Sequence, residues 1–142
     1  MSAAAERLAA RLRLEPHPEG GRYRQLHRSA SVVHVPWRGV DRAALTTILF
    51  LLARGEVSRW HRVLSDEAWH FHEGDPLELF VVDPGFSEVR RRVLGRASEG
   101  DAPLAVVPAG AWQAARPMGE FALVACDVGP GFDFADFALL AD

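Results

Sequence analysis

The chain has a single cysteine, a single tyrosine and no lysine, and each scarcity removes a class of protein. One cysteine cannot form a disulfide within the chain. It sits in the apolar run Leu123-Val124-Ala125-Cys126, which reads as a buried strand in a protein of a reducing compartment. Basic charge comes from arginine alone, 16 residues against 19 acids for a net charge of -3. That balance lacks the positive excess a polyanion-binding face needs, so no nucleic-acid partner is expected. The densest basic run, Arg90-Arg91-Arg92, reads as a solvated strand edge. No apolar run is long enough to cross a bilayer, and Met1 to Arg13 lacks the apolar core of a signal peptide. A cytoplasmic location without a membrane partner is the expectation.

Internal repeats, low-complexity tracts and composition shifts are also missing, so 142 residues read as one domain. A core of that size buries enough surface to need no disulfide or structural metal. Ala3 to Leu14 places Leu8 and Leu12 one turn apart, with Ser2 available as N-cap. This predicts a short amphipathic helix ended by Pro16 and Pro18. Helical periodicity then stops. Short β-rich runs follow at Leu45 to Leu52, Leu77 to Val82, Val89 to Leu94, Leu104 to Val107, Phe121 to Val128 and Phe132 to Leu139, separated by turn residues such as Asp83-Pro84-Gly85. Strands at this spacing without intervening helices predict an all-β jelly-roll sandwich or barrel. The expected division is a helix within 1–15 and a β-barrel over 16–142.

The chemistry-bearing residues concentrate between Gly55 and Gly74, where His61, His70 and His72 accompany Asp66 and Glu67. Imidazole and carboxylate suit first-row divalent ions. The same groups perform acid–base work without metal.

Gly55, His61, Glu67 and Gly74 have the spacing of the first cupin motif, with Val63 where that motif has its second histidine. Pro108-Ala109-Gly110 resembles the second motif, with Gln113 in the histidine position. Pro16-His17-Pro18-Glu19-Gly20-Gly21, Arg28-Ser29, Ser65 to His72 and Pro130 to Phe134 resemble one bacterial and eukaryotic cupin subfamily, whose members are recognised by fold rather than by a reaction. The likeness extends from Leu14 to Leu139. It implies a cupin-type double-stranded β-helix with an internal pocket. Gly55 and Gly74 would then turn the ends of two paired strands, and Pro108-Ala109-Gly110 would form a corner at the barrel mouth.

His61 and Val63 share one strand face, which the motif makes the interior. Glu67, Trp69 and Phe71 share that side if the next strand is regular, and a bulge near Glu67 would bring in His70 and His72 instead. Trp112 and Gln113 are expected to line the cavity, and Tyr23 is the sole tyrosine able to serve there. Trp60, Trp69 and Trp112 read as core or pocket wall. His17, His27 and His34 read as turn or surface residues.

The expected function is binding of a small polar or sugar-like organic molecule, with His61 and Glu67 as base and acid. Cupin-fold sugar-nucleotide epimerases, metal-free enzymes with a histidine base and a tyrosine acid, supply the analogy. One alternative is a metal-dependent dioxygenase or isomerase holding nickel, manganese, iron or zinc through His61, Glu67 and Gln113, with His70 or His72 completing the shell. Another is a non-catalytic small-molecule binding module. On either enzymatic reading, an imidazole placed at position 63 would join His61 and Glu67 as a third metal donor. A homodimer is expected as well, through edge strands at Tyr23 to His27 and Val32 to Val35.

Overall fold

A computed structural model describes residues 2–140; the expected domain ends at Met1 and Asp142 lie outside them. Helix α1 spans Ala3–Leu12 and is capped as expected, with the Ser2 hydroxyl accepting from Ala5 N–H at 3.2 Å. It stops earlier than the prolines require. Arg13 adopts a left-handed conformation (φ 58°) and its N–H turns back to Ala10 O, the usual way of satisfying terminal carbonyls. Leu8 and Leu12 then pack with Leu51 and Leu123 on the outside of a sheet.

The remainder is β-structure. The strands are β1 (Glu15–Pro16), β2 (Arg22–Arg28), β3 (Val32–Val35), β4 (Val40–Ala43), β5 (Thr46–Ala53), β6 (Ser58–Val63) and β7 (Asp66–Gly74). They continue as β8 (Leu77–Val82), β9 (Val89–Leu94), β10 (Leu104–Val107), β11 (Trp112–Pro117), β12 (Phe121–Gly129) and β13 (Phe137–Leu139). A six-stranded sheet in the order β1-β2-β5-β12-β7-β10 faces a five-stranded sheet ordered β13-β6-β11-β8-β9. All pairings within both sheets are antiparallel. Phe50, Leu52, Trp69, Leu77, Leu79, Leu94 and Val124 fill the space between them. Each is 1% exposed or less. At roughly 1.5–3 kcal/mol for each large side chain, that burial is the main force closing the sandwich.

Two expectations are corrected. β6 and β7 are not paired with each other: they lie in opposite sheets and are joined by Leu64-Ser65 over the barrel mouth. His61 and Glu67 therefore approach from opposite walls. Phe132 to Leu139 is not one strand, because a 3-10 turn at Phe134–Asp136, capped by the Asp133 carboxylate, precedes the short β13. Val32 to Val35 is an edge strand outside the barrel, since β3 pairs with β4 in a separate two-stranded hairpin. Arg42 from that hairpin makes a two-pronged bond to the buried Asp136, at 2.8 and 2.9 Å. Tyr23 to His27 lies one strand in from the edge, although β1 covers only Arg22 and Tyr23.

Candidate functional site

A cavity of about 360 Å³ opens between the sheets at the end where β6 passes to β7. Its wall from the six-stranded sheet follows the register. Arg28 pairs with Thr46, Thr46 with Val128 and Val128 with Glu67, so these four residues form one row across β2, β5, β12 and β7. Gln25, Ile48 and Cys126 belong to the next row. His61 and Val63 face them from β6, and Phe132, Asp133 and Phe134 border the opening.

His61 is 1% exposed. Its Nδ1 lies 2.7 Å from the Arg59 carbonyl, and its Nε2 lies 2.9 Å from Glu19 Oε2. A carbonyl oxygen only accepts, so Nδ1 carries a proton. Burial works against the charge on both partners. Attraction to Glu19 outweighs it and raises the His61 pKa above the ordinary value, while attraction to His61 lowers that of Glu19. Both directions favour the ionised form of the pair, with Nε2 donating to Glu19. His61 is an imidazolium whose two N–H groups are both donated within the protein.

Glu67 is the opposite case. Burial pushes its carboxyl up to about 7, and the neighbouring Glu19 charge acts in the same direction. The positive charge of His61 and hydrogen bonds from Gln113 and Cys126 pull it back without cancelling that rise. Gln113 Nε2 donates to Glu67 Oε1 at 2.8 Å, and Gln113 Oε1 accepts from Trp69 Nε1 at 2.8 Å. This buried chain from Trp69 through Gln113 to Glu67 fixes the orientation of the carboxyl. Glu67 thus borders the cavity as a carboxyl whose pKa burial raises to about 7, the range in which a side chain can exchange protons near neutrality.

Glu19 and His17 were not legible as site residues. Gly20 and Gly21 both have positive φ, 114° and 72°. A Cβ on Gly20 would lie 2.0 Å from the Val57 carbonyl oxygen. The turn is pressed against the entrance of β6, and Glu19 N–H bonds to His17 Nδ1 at 3.1 Å. That acceptor role leaves the ring proton of neutral His17 on Nε2. Burial lowers the His17 pKa, and its side chain is only 5% exposed. It belongs to the turn, through its bonds with Gly20 and Gly21, but it is not at the surface. Its ring meets Tyr23 edge-on at 4.5 Å, and both line the cavity.

The other expected residues separate by strand parity. β7 runs regularly through Glu67, Trp69 and Phe71, which face inward. Trp69 lies beneath the cavity, and Phe71 packs farther along the core with the Arg96 guanidinium 5.8 Å from its ring. His70 points outward and bonds to Asp127 at 2.8 Å, while His72 is exposed on the same strand. Neither reaches the cavity. Trp112 precedes the inward Gln113 and so takes the other face of β11, where it stacks on Phe86 and lies under Arg62. Adjacent strand residues cannot share one face.

The donor set does not fit a metal ion. His61 has no free nitrogen lone pair, Gln113 uses both ends of its amide within the protein, and Val63 offers no donor. His70 and His72 lie outside the barrel, so of the expected ligands only Glu67 keeps a free donor atom at the cavity. Among the described residues there is no group of three or more histidine, cysteine or acidic side chains arranged to hold a metal ion.

Two antiparallel sheets facing each other in this strand order, with the cavity between them at one end, form a cupin-type jelly roll. The chain belongs to the family described as Cupin superfamily (DUF985), matched over residues 6–140. It is similar to a hypothetical protein from Leishmania major at 37% identity and TM-score 0.89, covering 96% of this chain and 87% of that one. A protein from Shewanella oneidensis is 37% identical at TM-score 0.85, with 99% and 86% covered. An oxalate decarboxylase of Bacillus subtilis shares the fold at 18% identity and TM-score 0.64, with 88% of this chain matching 29% of that one. No curated protein matches. Among the described residues no helix is long and apolar enough to cross a membrane.

Proposed function

We propose that the cavity binds a small polar, sugar-like molecule and that Glu67 carries proton transfer on it without a metal, as in an aldose–ketose isomerase. The observation that carries this reading is a cavity-facing carboxyl whose pKa is about 7, beside an imidazolium committed to Glu19. His61 then supplies fixed positive charge rather than a base.

Ionised Glu67 would take the proton from a carbon next to a carbonyl, and the C–H electron pair would form the enediol double bond as the carbonyl electrons move to oxygen. The proton of the adjacent hydroxyl would pass to the former carbonyl oxygen, the freed oxygen would re-form a carbonyl, and the same carboxyl would return its proton to the former carbonyl carbon. One carboxyl works on one face of the substrate. A 1,2-shift on that face suits it better than epimerisation, which needs groups on both faces. His17 Nε2–H and the Tyr23 hydroxyl are the donors available to the oxygens.

The test is deuterium incorporation next to the carbonyl of three- to six-carbon sugars in D₂O, followed by proton NMR with wild type and Glu67→Gln. Incorporation by wild type alone supports the reading. Sugar binding without exchange at any pH from 5 to 9 would make the protein a binding module instead.

A further inference from the structure

Arg28 is the cation at the cavity that the proton chemistry leaves unused. It ends the row Arg28-Thr46-Val128-Glu67, whose four members all border the cavity. Three strand spacings separate the Cα atoms of Arg28 and Glu67, about 14 Å at about 4.8 Å each. Their side chains reach over the row from opposite ends without forming an ion pair. Among the described residues no carboxylate lies within 4 Å of the Arg28 guanidinium, and its sole hydrogen bond is a long one, 3.4 Å to the Phe132 carbonyl. Four other arginines make ion pairs, Arg42 and Arg38 with Asp136 and Arg91 and Arg116 with Glu78, but none of them borders this cavity. The floor between Arg28 and Glu67 is Thr46 and Val128. The Thr46 hydroxyl accepts from Phe132 N–H at 2.8 Å, which fixes the loop bordering the opening.

The cavity is therefore poled. One end holds the Glu67 carboxyl and the compensated Glu19–His61 pair, and the other presents a guanidinium with no carboxylate of the described residues within 4 Å; Asp133, which also borders the opening, turns its carboxylate to the Ala135 N–H. An arginine so placed recognises a carboxylate or phosphate with two parallel N–H donors. We infer that the ligand is a short hydroxy-carbonyl compound bearing an anionic group, its charged end on Arg28 and its carbonyl end at Glu67. This rests on the proton-transfer reading for the placement of the carbonyl, whereas the anion preference depends on Arg28 alone.

The test uses three matched probes, erythrose, erythronate and erythrose 4-phosphate, titrated calorimetrically into wild type and Arg28→Gln at low salt. At least one anion binds wild type tenfold or more tighter than erythrose, and that ratio falls below about twofold in the variant. Which anion is preferred separates a carboxylate site from a phosphate site. Because Arg28 is exposed, the substitution leaves the unfolding midpoint nearly unchanged, which checks that the variant is folded. Equal binding of all three probes to wild type overturns the anion preference and leaves the proton-transfer reading standing. So does a preference that survives in Arg28→Gln. Failure of every probe to bind overturns both.

Discussion

Glu19 Oε2 lies 2.9 Å from His61 Nε2 in a pocket where both side chains are more than nine-tenths buried. This contact makes His61 a fixed cation. Removing one partner of a buried pair leaves the other charge without compensation, at a cost of about 3–5 kcal/mol. Glu19→Ala is expected to lose that much in urea unfolding. Without Glu19 the effect of burial prevails, and the His61 imidazole titrates below its ordinary value, which ring-proton NMR reads directly. A His61 pKa that stays raised in the variant would show that Glu19 is not what holds the charge.

The same groups set the pH dependence of stability. A folded-state pKa of about 7 for Glu67 exceeds the ordinary 4.5, so the unfolded chain releases this proton first. Stability then falls as pH rises from about 4.5 to 7, by on the order of 3 kcal/mol. The raised His61 pKa adds stability that is complete below 6.5 and is lost above it. The lowered Glu19 pKa adds stability that is complete above 4.5 and is lost on acidification. These three groups together place the maximum at about pH 4.5 to 5, because the Glu67 contribution declines throughout about pH 4.5 to 7. Thermal melts from pH 4 to 9 should show that maximum, and Glu67→Gln should flatten the decline between about pH 4.5 and 7. An optimum above pH 8 contradicts the assignment.

Gly20 is where backbone chemistry delivers Glu19. At φ 114°, with a Cβ position 2.0 Å from the Val57 carbonyl oxygen, alanine is both strained and obstructed. Gly20→Ala is expected to cost at least about 2 kcal/mol and to pull Glu19 from His61. The variant should show both a lower unfolding midpoint and the His61 titration of Glu19→Ala. Retention of the wild-type titration would separate the turn from the ion pair.

These residues also mark the limit of the sequence reading. Period-two alternation placed Glu67, Trp69 and Phe71 inward and left His70 and His72 outside on a regular strand, because strand parity is local. The same rule separates Trp112 from Gln113, although motif spacing had grouped them. Glu19 and His61 are far apart in sequence, and their contact depends on how the glycine turn meets Val57. Alternation carries no information about that encounter. A Gly-Gly pair after Pro-Glu was the available signal, since consecutive glycines at positive φ often mark a close backbone approach. The segment from Phe132 to Leu139 failed as a strand because Asp133 caps a 3-10 turn, a competition that apolar content does not reveal.

Gln113 links Trp69 to Glu67, and its removal is expected to act at both ends. Gln113→Leu leaves the Trp69 N–H buried without an acceptor, at about 1–3 kcal/mol. It also removes a donor that favours ionised Glu67, so the carboxyl pKa moves further above 7. The midpoint of deuterium exchange against pH should rise with it. Trp69→Phe keeps the Gln113–Glu67 bond and should leave that midpoint nearer wild type. Equal midpoints in all three proteins would mean that Gln113 does not tune the carboxyl.

The last prediction concerns Val63, which lies beside His61 on the cavity side of β6 and is 3% exposed. Spacing alone suggests that Val63→His completes a three-donor metal site with His61 and Glu67. The hydrogen bonds give a different expectation: His61 has both ring nitrogens protonated, so the single variant adds one imidazole to one carboxylate and gains little affinity for nickel or zinc. Glu19→Ala alone frees His61 Nε2, with Nδ1–H still held by the Arg59 carbonyl, but supplies no second imidazole. Combining Val63→His with Glu19→Ala presents two imidazoles and Glu67 to the same cavity. The double variant is therefore expected to bind nickel at least tenfold more tightly than either single variant, a gain of about 1.4 kcal/mol or more. Calorimetric titration of the three proteins, each shown folded by circular dichroism, measures the difference. If Val63→His alone binds as tightly as the double variant, His61 has a lone pair to give. The imidazolium assignment would then be wrong.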